Sequence, residues 1–283
     1  ATDLLADSFI DLLRNRMVVR QAGATVLTGL QGDIAIPRQT GGATAYWVAE
    51  SGAPTESQQT VDQVTLTPKT VGAYTDFSRK LLKQSSMDVE RFVRADLTNV
   101  IALAIDLAAL HGTGASNQPT GIAATSGIGS VAGGTNGLAP AWAHIVDLET
   151  AVAIDNADIG RLAYMTNAKV RGKAKQTPKV ASTDSMMLWD TQSNAQPLNG
   201  YGAFVTNQVS SALTKGTASA VCSAIFFGNW ADLVIGMWGT LDILVDPYTG
   251  ATSGTVRVVA LEDMDIAVRH AESFAAMLDA LTT

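Results

Sequence analysis

The sequence predicts an α+β protein, in which most strands pair with neighbouring strands and the helices are set apart from them. Three observations predict this class. Residues 44–77 carry two strand-like patterns around a turn-rich segment, residues 87–110 carry one long helical pattern, and residues 203–260 carry a run of short strand patterns. No fixed-period repeat interrupts this order.

The composition predicts a large hydrophobic core and a surface with little charge. Of the 283 residues, 47% are hydrophobic and 16% are charged, against a usual charged share of about 25%. This excludes a disordered chain, and the net charge of −7 argues against a dedicated nucleic-acid binder and against a binder of anionic membranes. Because a lone soluble protein normally displays more charge, we expect partner chains to cover part of the surface.

The first element is a predicted amphipathic helix near the N-terminus. Apolar residues recur there at helical spacing, with charged residues between them. The apolar stripe includes Leu5, Phe9, Leu12 and Leu13. Since this helix precedes any domain, we expect it to lie against another surface, such as a neighbouring chain.

Residues 23–42, rich in Gly, Thr and Ala, are interpreted as an extended connector to a long hairpin. Strand patterns at 44–49 and from Val61 onward flank a polar, turn-rich segment. Arms of about 16 residues, at ~3.3 Å per residue, would reach roughly 50 Å. A ribbon of this length is marginal alone in water, so it either belongs to an ordinary internal sheet or lies on another subunit.

Four further helices and strands follow in order. The helix predicted over 87–110 has a broad apolar face and ends in a basic residue and a glycine, His111-Gly112. A glycine-rich crossing precedes a helix predicted over 139–156, a short buried strand at 162–165 and a basic helix over 168–176. The tail, 263–281, shows a mixed pattern.

No group of residues in the sequence predicts catalysis, a cofactor or a metal site. The three histidines are far apart, and Gly127-Ile128-Gly129 lacks the spacing and the preceding strand of a dinucleotide loop. Cys222 lies in an apolar run and is interpreted as a buried thiol. Asp263 and Asp265 are either a solvated face or an acid–base pair, and the basic residues of 169–175 are a solvated face, a subunit contact or a DNA contact.

The order of these elements resembles the major capsid proteins of tailed double-stranded DNA bacteriophages, which have the HK97-type fold. Four segments carry the resemblance: Tyr46–Gly52 through Lys69, Phe77–Ser86, Asn117–Ile122 and Ala224–Trp230. They are similar to the hairpin called the E-loop, the entry to the long spine helix, a PxGI segment after that helix, and an FGD[WF]-type strand end with Asn229 in place of Asp. The likeness is to the mature form, from which an N-terminal scaffolding segment has been removed.

The resemblance implies a layout and a function. Residues 1–35 would be an N-arm and 36–80 the E-loop hairpin; 81–137 with 241–272 would form the P-domain, which holds the spine helix and a β-sheet. The A-domain would hold 138–240 and 273–283, with a ring-forming contact near 185–215. Copies would form hexamers and pentamers of an icosahedral shell around double-stranded DNA, assembled in the host cytoplasm, with a portal and a cement or decoration protein as further partners. No enzymatic activity, cofactor or membrane is implied.

The same resemblance implies which residues contact neighbouring copies. The apolar stripe of the N-arm would do so, together with the tip of the E-loop. The tip consists of Glu50, Ser51, Gly52, Ala53, Pro54, Thr55 and Glu56.

This sequence departs from those family members that weld subunits by an isopeptide bond between an E-loop lysine and a P-domain asparagine. No lysine occurs from Trp47 to Pro68, and no asparagine occurs from Ala231 to the end. We therefore expect a shell without autocatalytic crosslinks. The alternatives are an encapsulin-like compartment that encloses enzymes, an enzyme with an active site between subunits, and a β-rich adhesin.

Overall fold

The computed structural model describes residues 14, 15, 17–80, 89–180, 186–189 and 198–282. The helices bounded within these residues are α1 (Val19–Ala22), α2 (Val89–His111), α3 (Trp142–Ile154) and α4 (Ala168–Ala174). The strands are β1 (Thr25–Leu27), β2 (Ile34–Gly41), β3 (Thr60–Leu66), β4 (Lys69–Ser78), β5 (Gly129–Ser130), β6 (Leu162–Thr166), β7 (Gly202–Val205), β8 (Leu213–Lys215), β9 (Ala218–Asn229), β10 (Leu233–Asp246), β11 (Thr255–Val268) and β12 (Phe274–Leu281). The α+β class predicted from the sequence is confirmed.

One body is a four-stranded sheet with the long helix α2 on one face. The strand order is β1-β10-β11-β4, and β11 pairs antiparallel with both of its neighbours. Alternate residues of β11, Val256, Val258 and Ala260, face the helix and pack with its Leu97 and Ile101. This period of two along the strand and four along the helix is what buries one side of each.

Helix α2 ends in a tight crossing that explains the PxGI segment. The Gly121 N–H donates to the Gly112 carbonyl at 2.9 Å. A Cβ at Gly112 would lie 2.3 Å from the Pro119 carbonyl oxygen, and one at Gly121 would lie 2.5 Å from that of Ala108. Only glycine allows the backbones to approach so closely, and this approach places Ile122 fully in the core.

The second body is a six-stranded sheet with a hydrophobic cluster on each face. Its order is β5-β12-β9-β6-β7, and β8 also pairs with β9. Helices α3 and α4 contribute to the cluster on one face, while α1 and the end of α2 contribute to the other. At the end of β9, Asn229 Oδ1 accepts the backbone N–H groups of Arg161 (3.0 Å) and Ala231 (3.2 Å), a role that the commoner Asp can also fill.

The hairpin is shorter than predicted, and its arms lie elsewhere along the chain. Strands β2 and β3 form a separate two-stranded ribbon, whereas β4 belongs to the four-stranded sheet and pairs with β11. Part of the predicted connector, 23–42, therefore forms β1 and β2. Residues 44–49 form no strand: the Ser57 hydroxyl accepts the Thr44 N–H at 2.8 Å and donates to the Thr44 carbonyl, but the ladder of backbone pairs between β2 and β3 ends at Gly41–Thr60.

The C-terminal tail also differs from the mixed pattern that was predicted. Strand β11 continues to Val268, and β12 is a nearly fully buried strand between β5 and β9. A strand covered on both faces has no polar alternation to mark it. Cys222 is confirmed as a buried free thiol.

Candidate assembly surfaces

The ribbon of β2 and β3 is anchored at one end and free at the other. At the anchored end, Leu66 is fully buried and packs with Val234 and Ala267 of the four-stranded sheet. Pairing continues from Ile34–Leu66 out to Gly41–Thr60. The residues beyond, 42–59, are exposed except for half-buried Ser57.

A buried carboxylate holds the anchored end in place. Asp265 of β11 accepts the backbone N–H of Thr67 at 2.9 Å and pairs with Lys69 Nζ at 2.6 Å. Its side chain is almost inaccessible to solvent, so interpreting Asp265 as a solvated residue was wrong. The sequence carried no signal for this contact, because its partners are nearly 200 residues away. Neighbouring Asp263 is exposed and accepts from the Thr70 hydroxyl.

The tip of the ribbon is a turn that presents large apolar side chains to solvent. The Gly52 N–H donates to the Ala49 carbonyl at 2.9 Å, and Ser51 has a φ of 68°. All seven predicted contact residues, 50–56, lie in and after this turn and are exposed. Their contact with a neighbouring copy stays a prediction. Just before them, Tyr46 and Val48 are about half exposed and Trp47 is fully exposed.

Burial of Tyr46, Trp47 and Val48 against a neighbouring copy would remove large apolar side chains from water, whereas the seven predicted residues are small or polar. An aromatic side chain buries 150–250 Å² when it is covered, at roughly 25 cal/mol per Å². The prediction of the tip therefore stopped short of its most apolar part, although an exposed aromatic pair next to a turn is itself a signal of an interface.

The part of the predicted N-arm that follows its contact residues is fixed along α2. Asp106, a buried carboxylate on that helix, accepts the N–H groups of Val18 (3.2 Å) and Val19 (2.9 Å), which begin α1. Two to three turns earlier, Asp96 pairs with Arg14. Burial raises the pKa of Asp106, and the two backbone donors oppose that shift. Leu5, Phe9, Leu12 and Leu13 lie outside the described residues.

The face of the four-stranded sheet opposite α2 is a second exposed apolar surface. Tyr74 and Leu244 flank Val259 in adjacent strands, and both are more than half exposed. The Arg257 guanidinium lies 4.6 Å from the Tyr74 ring centroid and forms two hydrogen bonds of 2.8 Å with Asp76. The Arg257–Asp76 ion pair therefore borders one edge of the patch, and the centre of the patch stays apolar.

Two of the three histidines, His111 and His144, serve structural roles in the part of the chain that the structure describes. His111 Nε2 accepts the Ser210 N–H at 2.9 Å, and burial lowers its pKa. His144 Nδ1 accepts the Ala141 N–H at the start of α3. Among residues 14–15, 17–80, 89–180, 186–189 and 198–282, no three or more His, Cys, Asp or Glu side chains are grouped to hold a metal ion. No helix within those ranges is long and apolar enough to cross a membrane.

Comparison with known proteins identifies the family to which this chain belongs. The sequence model of the phage capsid family matches residues 2–278. The chain belongs to the phage capsid family. The expected resemblance is thereby confirmed.

Individual relatives agree with the assignment. The major capsid protein of Halomonas phage phiHAP-1 is 35% identical over 273 residues, which is 96% of this chain. The capsid chain spans 42% of the length of that curated relative. Among solved structures, the capsid of a native GTA particle computed with C5 symmetry aligns with a TM-score of 0.79, at 20% identity and over 99% of this chain and 95% of that one. The Gordonia phage Cozz structure aligns with a TM-score of 0.74, at 12% identity and over 98% and 90% of the two chains. These likenesses confirm the HK97-type fold.

Proposed function

We propose that this chain is the shell-forming part of a phage major capsid protein, and that its copies assemble into hexamers and pentamers of an icosahedral shell. The observation that carries the proposal is the ribbon tip. Trp47 is fully exposed at the end of a two-stranded ribbon that has no further strand beside it among the described residues. An isolated ribbon of this kind gains stability when a neighbouring copy covers it.

The shell would enclose double-stranded DNA without reading its sequence. The net charge of −7 supports this part of the proposal, since few phosphate contacts leave packaged DNA free to slide. We propose a structural role without catalysis, a location in the virion after assembly in the host cytoplasm, and contacts with a portal and with a cement or decoration protein.

The proposed layout keeps the predicted boundaries: N-arm 1–35, E-loop 36–80, P-domain 81–137 with 241–272, and A-domain 138–240 with 273–283. Two features support it. All of the ribbon except Ile34 and Ala35 lies within the E-loop range, and the boundary at 240/241 falls at the irregularity of β10 between Trp238 and Asp242. Strand β4 lies in the E-loop range but pairs with the P-domain strand β11, so the two units would share one sheet.

An encapsulin-like compartment is not favoured, because the matched family and the curated relatives are phage capsid proteins. The two functions differ in what the shell encloses. Particles that contain DNA and a portal support the phage function, whereas particles that contain a cargo enzyme would support the alternative.

Electron microscopy of the purified chain, together with sedimentation velocity, tests the proposal. We expect rings of five and six subunits and closed shells whose yield rises with protein concentration. A monodisperse monomer at high concentration would contradict the proposal.

A further inference from the structure

The two ends of helix α3 carry surfaces of opposite charge. Its C-terminal end leads into a loop with the exposed acidic residues Asp155 and Asp158. At its N-terminal end, the ammonium group of Lys179 lies 4.1 Å from the ring centroid of Trp142, the first residue of α3. Lys179 lies near the end of a basic segment: residues 168–180 hold five basic and no acidic residues. At 1.5 Å per residue, the 13-residue helix separates the two surfaces by about 20 Å.

Each surface also exposes aliphatic side chains. Beside the two aspartates, Ile154 is 73% exposed and Ile159 is 69% exposed. Beside Lys179, Val180 and Met186 are 54% and 62% exposed. We call residues 154–159 the acidic end, and Lys175, Lys179 and Val180 the basic end. Exposed apolar side chains bordered by polar and charged residues mark protein–protein contact sites.

The acidic end adjoins a cleft of about 550 Å³. The loop 155–159 forms one wall, the ribbon residues 38–40 a second, and residues 270–273 contribute to a third. Asp155, Asp232 and Glu272 supply three carboxylates. A cleft with this surplus of acidic groups suits the long cationic side chain of a lysine.

The other polar groups in the cleft leave it acidic. The Arg38 guanidinium bonds Asp62 at 3.0 Å, so much of its charge is already balanced. Asp232 accepts from Ser273 Oγ at 2.6 Å and from Asn229 Nδ2 at 3.1 Å, which holds its carboxylate in place. His270 lines the cleft and is exposed.

We propose that the acidic end of one copy receives the basic end of the next copy, and that this contact closes the capsomer ring. One copy cannot join its own two surfaces, because they lie at opposite ends of a rigid helix. A contact between two different surfaces is head-to-tail, and repetition of a head-to-tail contact generates a ring. The inference rests on the proposed shell function, and it places the ring contact at 154–159 and 175–180 rather than near 185–215.

The position of the ribbon favours a second copy of the chain as the occupant of the cleft. Strand β2 supplies one wall of the cleft and then continues outward to the exposed tip. The ribbon therefore leaves the molecule on the side of the acidic end. The same neighbour that fills the cleft with lysine side chains is then within reach of the ribbon.

Disulfide trapping tests the contact directly. The chain has a single cysteine, Cys222, which is buried, so introduced cysteines report only on their own contacts. We expect oxidised particles of the double variant Ile159→Cys/Val180→Cys, or of Asp155→Cys/Lys179→Cys, to give a ladder of up to five and six linked chains on a denaturing gel. Each single variant is the matched control and should stay monomeric. Particles that form normally without a ladder from either double variant would overturn the proposal.

Charge reversal tests the same contact independently. Asp155→Lys/Asp158→Lys makes both ends basic, and Lys175→Glu/Lys179→Glu makes both ends acidic. We expect each variant alone to lose at least tenfold in particle yield. A 1:1 mixture should recover six-membered rings but not five-membered rings, because alternation requires an even number. The chain with all four changes should recover both, and Asp147→Lys on the exposed middle of α3 is the control for the charge change alone.

The outcomes separate this inference from the proposed function. If the unaltered chain forms no particles, the proposed function fails. If it forms particles and the reversed variants do so equally well, only the ring contact is overturned. Normal particles of Lys175→Glu/Lys179→Glu that retain less DNA would assign the basic end to DNA instead, and would also overturn the contact.

Discussion

Asp265 fixes the anchored end of the ribbon through one backbone and one charged partner, and the cost of its removal follows from that pairing. Asp265→Ala would leave the Thr67 N–H and the Lys69 ammonium without their acceptor. We expect the free energy of unfolding to fall by about 2–3 kcal/mol, as for other hydrogen-bonded groups that lose a buried partner. Denaturant unfolding followed by tryptophan fluorescence measures it.

The matched control is Asp263→Ala, two residues away on the same strand and exposed. This change should stay within about 0.5 kcal/mol of the unaltered chain. Equal losses in the two variants would show that the buried contact has no special weight.

His111 predicts a pH dependence of stability with a definite sign. Burial lowers its pKa in the folded chain below the ordinary value, so the folded state binds fewer protons than the unfolded state. The contribution of His111 is therefore complete above about pH 6.5 and declines as the pH falls through that value toward the lowered pKa. Protonation of Nε2 would also remove the acceptor of the Ser210 N–H.

The test compares unfolding free energies at pH 7.5 and 5.5. His111→Gln should show a smaller loss between these two pH values than the unaltered chain, and His270→Gln, which changes an exposed histidine, should show the same loss. An unchanged loss in His111→Gln would contradict the assignment.

At the scale of elements, the segment before β1 depends on its contact with α2. Asp106→Ala removes the acceptor of both N–H groups that begin α1. We expect a loss of about 1–2 kcal/mol, as for other helix caps, and faster tryptic cleavage after the exposed Arg20. Asp96→Ala, which removes a partly exposed ion pair, should cost less than about 1 kcal/mol. Cleavage that is no faster in Asp106→Ala would contradict this anchoring role.

The ribbon tip should act on assembly and not on the fold of one chain. Trp47→Ala removes a fully exposed side chain, so unfolding of the unassembled chain should change by less than about 0.5 kcal/mol. Loss of a central aromatic from an interface typically costs 2 kcal/mol or more, so particle yield measured by sedimentation should fall at least tenfold. Gln58→Ala, an exposed polar change on the same segment, is the control, and equal yields in both would contradict the role of Trp47.

Elements with a strong apolar period could be predicted from the sequence, and elements defined by a distant partner could not. The pattern over 87–110 gave α2, observed at Val89–His111, because one face of that helix meets one face of a sheet. Strand β12 escaped prediction because both of its faces are buried. The strand predicted at 44–49 does not form, because strand propensity needs a partner to pair with.

In the candidate surfaces too, features with a local sequence signal could be predicted, and features set by a distant partner could not. The exposed tip lay close to where the turn-rich segment predicted it, since turn residues mark a surface locally. Asp265 and Asp106 were missed because each acts on a backbone segment that is 87 or more residues away along the chain.

At the scale of the whole molecule, the lack of two reactants predicts a shell held only by non-covalent contacts. There is no lysine in Trp47–Pro68 and no asparagine from Ala231 onward. Purified particles boiled in detergent should run as a single monomer band. Covalent oligomers that survive boiling and a reducing agent would contradict this prediction.

We propose that neighbouring copies cover what one chain leaves exposed, and cryo-electron microscopy of assembled particles can show this at Trp47. We expect a Trp47 side chain buried against another copy, with the ribbon extended away from its own sheet. A ribbon folded back onto its own chain, or a Trp47 still open to solvent in a closed shell, would contradict it.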